Sequence, residues 1–360
     1  MKVKRMDYLD SLRFFSMLII LLTHFFDFYY PKYFGVANPF LFWFNSTSGL
    51  IVFCLLLGFF AMDSKQKSIQ YLIKRYFQFT ISPFIIYIAM LVFCVFLTNV
   101  NRMSPFTAFA NIQNLSLNDN IYNIIQSTVL IDSDRILATL WTLFPFFVAS
   151  MLIFIVDKLT QNANISEKII LLSIIALILY FLPQDQWSSY RWMSYCVVGA
   201  ICKIIYNMDL KIFKKYNIFM LLLSIVSFVL IFKITKSYTF QVLGFGIFLI
   251  AINYINVVKR ILSFKPLSFL GRISFYSYMW HHFIIFMLYE IMLYNKVINL
   301  EPYLYENTFD GVALLLILTL VITLILSIIN YYLYDIVFSK KILIPLLNIK
   351  TGKVTSKYST

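Results

Sequence analysis

The stretch YLDSLRFFSMLIILLTHFFD, residues 8–27, carries Asp10, Arg13, His24 and Asp27 in a run apolar enough to cross a bilayer. Ionisable groups inside a spanning helix are costly, and where they persist they mark a functional site. Arg13 and His24 are eleven residues apart. On an α-helix that spacing is ~20° past three full turns and ~16 Å along the axis, so both residues share one face at different depths. A guanidinium binds phosphate through paired hydrogen bonds. A neutral imidazole is the usual general base near neutral pH. Asp27, about one turn beyond His24, can orient the ring and stabilise its charged form. The plainer alternatives are a packing histidine and a local Asp10–Arg13 pair that snorkels to the headgroups.

Two further clusters carry chemistry. Lys74 and Arg75, in YLIKRYFQFTISPF, would form an anion funnel if they stood beside Arg13 at one cytoplasmic mouth. Positive-inside marking explains them equally well. Arg272, Trp280 and His281 lie in LSFLGRISFYSYMWHHFIIF. The adjacent His281 and His282 point ~100° apart on a helix, so at most one of them is expected to line the interior; interhelical hydrogen bonds are the other reading. Glu290 and Asp335 are candidate partners for Arg191 or Lys233. The cysteines Cys54, Cys94, Cys196 and Cys202 fall in apolar runs with neither metal-ligand spacing nor a disulfide framework, so neither a metal site nor a disulfide is expected. There is no P-loop, dinucleotide fingerprint or G-x-S-x-G elbow. Asn45-Ser46-Thr47 is expected inside a span, helping to line a cavity.

The elements that must hold these residues are membrane helices. Of 360 residues, 61% are hydrophobic and 13% charged, against about half and about a quarter in soluble domains. Mean hydropathy is +0.81. The apolar runs are continuous rather than alternating, which excludes a transmembrane β-barrel. The expectation is an all-α polytopic protein of ten spans, at roughly 11–30, 40–62, 79–98, 137–156, 168–183, 190–206, 217–233, 238–257, 273–293 and 311–334. Residues 1–341 form the membrane domain and 342–360 a basic tail. If the N-terminus is cytoplasmic, 22 of the 30 basic residues fall in inside segments. That bias puts both termini in the cytoplasm. The net charge of +14 therefore reads as a topology signal and anionic-lipid contact, not nucleic-acid binding. Arg13 interrupts the first apolar run and no small-residue cleavage site follows, so residues 1–30 are a span and not a signal peptide. The loop near 99–136, rich in Asn, is expected to be extracytoplasmic.

Three stretches resemble the integral membrane acyltransferase 3 family. YLDSLR with His24 is similar to the family's Y-L-D-G-L-R opening with its Arg-x10-His spacing. GLIVFCLLLGFF, residues 49–60, is similar to G-V-D-x-F-F-V-L-S-G-F. LGRISFYSYMWHH, residues 270–282, is similar to L-G-x-I-S-Y-x-L-Y-L-W-H. The departures are Ile51 for the acid, Leu57 for the serine, Gln78 for a second arginine and Asp335 for a glutamate. The resemblance covers essentially the whole chain.

The resemblance implies a multi-pass plasma-membrane enzyme that moves an acyl group, commonly acetyl, from cytoplasmic acyl-CoA to a hydroxyl of a surface polysaccharide or its lipid-linked precursor. His24, with Asp27, would be catalytic. Arg13, Lys74 and Arg75 would contact the donor, and Asp10, Arg272, Trp280 and His281 would support the site. No permanently bound cofactor is expected. Expected partners are acyl-CoA, the glycan, the bilayer and glycan-assembly proteins. Two competitors fit the composition: a transporter or flippase of lipid-linked glycan, which the missing internal repeat disfavours, and a non-enzymatic component of a glycan assembly complex.

Overall fold

The computed structural model describes residues 6–29, 45–62, 68–99, 113, 116–128, 142–183, 189–208, 210–227, 237–294 and 309–346. Among these residues the chain is all-helical. In order, the helices are α1 (Asp7–Tyr29), α2 (Ser46–Ala61), α3 (Ser68–Asn99), α4 (Leu117–Thr128), α5 (Leu143–Leu159), α6 (Ile165–Phe181), α7 (Ser189–Asn207), α8 (Lys211–Lys215) and α9 (Asn217–Ile225). They continue with α10 (Tyr238–Ala251), α11 (Asn256–Leu262), α12 (Lys265–Tyr294) and α13 (Phe309–Tyr331), which passes into a π-helical stretch, Tyr332–Leu343.

Among the described residues, three helical segments are long and apolar enough to cross a membrane: Asp7–Tyr29, Gln70–Leu97 and Val312–Leu346. A fourth, Tyr238–Tyr254 with Asn256–Leu262, is bent by 101° at a break, as a broken span or a re-entrant loop would be. Every expected span overlaps a helix, but several bounds differ. α3 begins at Ser68 rather than 79, and α12 at Lys265 rather than 273, so Lys74, Arg75 and Arg272 sit inside helices and not in the loops before them. Backbone hydrogen bonding continues through charged residues that hydropathy alone counts as loop. The expected boundary after residue 341 falls within the π-helical stretch. The expected 99–136 loop contains α4, capped where Ser116 Oγ accepts from the Asp119 amide at 3.2 Å.

The distribution of polarity is that of a membrane bundle. α13 exposes Leu314, Ile317, Val321, Ile325 and Ile328, while Thr319, Thr323, Ser327 and Asn330 are buried. The two stripes follow helical spacing on opposite sides, apolar outward and polar inward. α6 likewise exposes Ile170, Ile174, Leu177 and Ile178. An apolar exterior of this extent is suited to lipid, not water. α2 is apolar all round and buried nearly throughout, as a central helix must be. α1 and α7 pack against it. Close approach to α7 depends on small residues: a Cβ on Gly58 would lie 1.7 Å from the Cys196 carbonyl oxygen, and one on Gly199 2.1 Å from that of Leu55. All four cysteines are free and buried.

The pairing that builds the site is α1 with α12. Contacts climb in parallel register. The Ser268 hydroxyl donates to Asp7 at 3.3 Å, Gly271 abuts Asp10, His24 meets His281 and His282, and the Tyr29 hydroxyl donates to the Ile285 carbonyl at 2.9 Å. α1 and α12 therefore run parallel.

Candidate active site

His24 lies in the uninterrupted helix α1, whose apolar sequence and lack of Pro or Gly keep it regular over 23 residues. Its ring stands edge-on to His282, with centroids 4.2 Å apart, and stacks on His281 at 5.5 Å. This corrects the expectation that only one of the adjacent histidines faces inward. α1 lies over the groove between the two side chains, so a ~100° divergence brings both to the same neighbour. His281 is 0% exposed, and its Nδ1–H donates to the Tyr278 carbonyl at 2.5 Å. The phenol of Tyr278 in turn bonds the Thr142 hydroxyl at 3.0 Å.

The histidines open on a pocket of about 170 Å³, lined by His24, Asp27, Phe28, His282, Ile285 and Phe286. His24 is partly exposed on this pocket. Asp27 is on the wall, exposed, and among the described residues it makes no hydrogen bond with His24. A larger hollow of about 390 Å³, lined by Leu12, Phe15, Ile19, Val52 and Phe245 among others, contains no ionisable residue. Its lining can hold a hydrocarbon chain but cannot move a proton.

Arg13 has different company. Its guanidinium pairs with Asp10 at 3.7 Å and lies 4.2 Å over the Phe60 ring of α2. The one face expected to serve both Arg13 and His24 is thus divided between two neighbours, α2 below and α12 above, because a helix in a bundle meets several partners along its length. The local Asp10–Arg13 pair is present. Arg13 keeps 26% of its side chain exposed, so it remains open to a ligand. Phe60 touches Phe59, and the buried Lys203 lies 5.0 Å over that ring. Lys203 was legible only as an inside charge; burial beside Phe59 emerges from helix packing.

Lys74 and Arg75 belong to a third setting. Arg75 donates to Gln78 at 3.0 Å, so the residue that departs from the family pattern serves as its acceptor. The Tyr334 hydroxyl donates to the Lys74 carbonyl at 2.6 Å. Asp335 accepts from the Tyr276 hydroxyl at 2.6 Å and, among the described residues, does not pair with Arg191, which corrects that expectation; Lys233, the other expected partner, lies outside the described residues. Arg191 instead faces the Tyr180 ring at 5.8 Å. These contacts tie α3 and α12 to the π-helical stretch. Tyr276→Phe should therefore cost about 1.5–2 kcal/mol, the lower part of the range for a bond to a charged acceptor, given partial burial. Thermal unfolding in detergent measures it, and an unchanged midpoint would remove Asp335 from this role.

Of the remaining expected site residues, Arg272 lies 5.4 Å from the Phe269 ring, and Trp280 is buried against Phe283. Neither lines the histidine pocket. Asn45 lies at the start of α2, where its side chain caps the helix by accepting from the Ser48 amide at 2.8 Å, and not in the middle of a span. Ser48 continues to the buried Gln241.

The helical bundle, apolar on its outside, holds a histidine-lined pocket between two of its helices. The acyltransferase domain of the acyltransferase 3 family matches residues 6–328, and the chain belongs to that family. It is a membrane acyltransferase. No curated protein and no solved structure matches the chain.

Proposed function

We propose that the chain is an acyl-CoA-dependent O-acyltransferase of the plasma membrane, with acetyl as the group moved and a surface polysaccharide or its lipid-linked precursor as acceptor. The observation that carries this reading is His24 at an open pocket in a chain of the acyltransferase 3 family. Both termini are taken as cytoplasmic, on the positive-inside bias. The donor's phosphates bind near Arg13, Lys74 and Arg75, and its thioester reaches up along α1. His24 takes the proton of the acceptor hydroxyl as the oxygen attacks the thioester carbonyl. The C–S bond breaks, the acyl ester forms, and the thiolate of CoA leaves, to be protonated by the imidazolium. Asp27, on the same pocket wall, stabilises that imidazolium.

The donor site has its own test. Arg13→Ala removes a charge-assisted phosphate contact worth about 1.5–3 kcal/mol, so the KM for acyl-CoA should rise about 10- to 100-fold. Turnover at saturating donor should change little. Steady-state kinetics of purified protein decides it, and an unchanged donor KM would move the phosphate site elsewhere.

The reaction itself is tested by NMR of surface polysaccharide from cells with and without the gene. The expected result is loss of an O-acyl signal. Glycan that reaches the surface less often but with its acylation intact would indicate a transporter.

A further inference from the structure

The chain has three histidines, and all three meet at one point. We propose that His24, His281 and His282 form a binding site for a divalent first-row transition ion of the imidazole-preferring kind, such as zinc, and that the occupied site is silent in acyl transfer. The silencing rests on the function proposed above; the binding does not.

Each residue offers one ring nitrogen, and the three lie within 4.8 Å of one another. Tetrahedral zinc with ~2.0–2.1 Å bonds holds its nitrogens ~3.4 Å apart, so closure by at most ~1.4 Å completes the set. Rotation of the side chains supplies a movement of that size.

The hydrogen bonding also points to a ligand. The Nδ1–H of His281 is committed to the Tyr278 carbonyl, which fixes the tautomer and leaves Nε2 as a bare acceptor. A histidine held this way by a backbone carbonyl is the usual arrangement behind a metal ligand. That Nε2 is buried without a hydrogen-bond partner among the described residues, and so is Nδ1 of His282. Buried polar atoms without partners are costly and call for an explanation. One proton shared between two rings satisfies two nitrogens; one ion satisfies all three.

The donor set selects the ion. Three neutral imidazoles suit zinc, copper, nickel or iron and not magnesium or calcium, which require oxygen. The adjoining pocket of about 170 Å³ leaves room for a fourth ligand, and Asp27 on its wall offsets the added charge. An ion bound here occupies the lone pair with which His24 would accept a proton, so it competes with catalysis.

The test uses the full chain in nanodiscs, stripped by chelator and titrated with Co²⁺, whose visible bands report tetrahedral nitrogen ligation. The expected result is one Co²⁺ per chain, displaced by zinc. His281→Gln and His282→Gln, with thermal unfolding measured alongside, should lose more affinity than the about 10- to 100-fold that loss of an outer-shell partner costs. Wild-type protein that takes up no stoichiometric Co²⁺, or folded variants that bind it equally well, overturn the site. Zinc at saturation should abolish acyl transfer, and full turnover with the ion bound overturns the silencing. A normal Co²⁺ spectrum in metal-stripped protein that shows no acyl transfer counts against the proposed function and not against the site.

Discussion

His24→Ala should lower acyl transfer by about 10²- to 10⁴-fold, the range for loss of a positioned general base. The ring is the only imidazole contributed by α1, and it lines the open pocket. His281 is a poorer candidate for the same task, because it is fully buried and its Nδ1–H is committed to Tyr278. Under the proposed function the loss should therefore appear in turnover, while the KM for the proposed donor, acyl-CoA, stays close to wild type. The ring contacts of His24 on α12 are with His281 and His282, and the ring lines a pocket, so alanine enlarges that pocket rather than leaving an unpaired charge. The expected thermal unfolding midpoint is near that of wild type. Purified, folded His24→Ala protein that still acylates glycan at a comparable rate would falsify the assignment.

Gly271→Ala should have the second large effect, by geometry instead of chemistry. A Cβ at this position would lie 1.8 Å from the Asp10 carbonyl oxygen and 2.2 Å from its carbonyl carbon. Both are backbone atoms of α1, so no side chain can swing away. Overpacking a close contact usually costs about 1–3 kcal/mol; a clash of this depth against backbone belongs at or above the upper end. The helices must part where they cross, and the contacts that follow in register, from Ser268 to Tyr29, move with them. Both a lowered unfolding midpoint and a loss of transfer are expected. Gly271→Ala protein with wild-type stability would show that α1 and α12 do not cross this closely.

The α1 helix and its titratable residues were readable because every relation within one regular helix follows from spacing. The Asp10–Arg13 pair is of this kind, and so is the place of Asp27 on the same pocket wall as His24, though the two make no hydrogen bond. The continuity of α3 through Lys74 and Arg75 was not readable, since a hydropathy window ends a span at the first charges, whereas the helix continues as long as its backbone bonds do. Charge alone pairs Asp335 with Arg191, and the structure does not. The hydroxyl that binds it, on Tyr276, comes from a helix that only packing brings near. His282 was set aside by a correct angle applied to the wrong question. Two side chains that diverge on one helix can both reach a neighbour lying between them.

By itself, the sequence determined that this is a helical, lipid-facing chain of the acyltransferase 3 family with an imidazole eleven residues above a guanidinium. Hydropathy, helical periodicity and motif order are all properties of the chain taken locally. Only the tertiary structure decided that residues 24, 281 and 282 meet, that Arg13 turns to α2 while His24 turns to α12, and that a glycine sets the crossing. The reason is physical. The contacts between α1 and α12 join segments more than 250 residues apart, and all of these contacts depend on how closely two helices approach, which no spacing along either one contains.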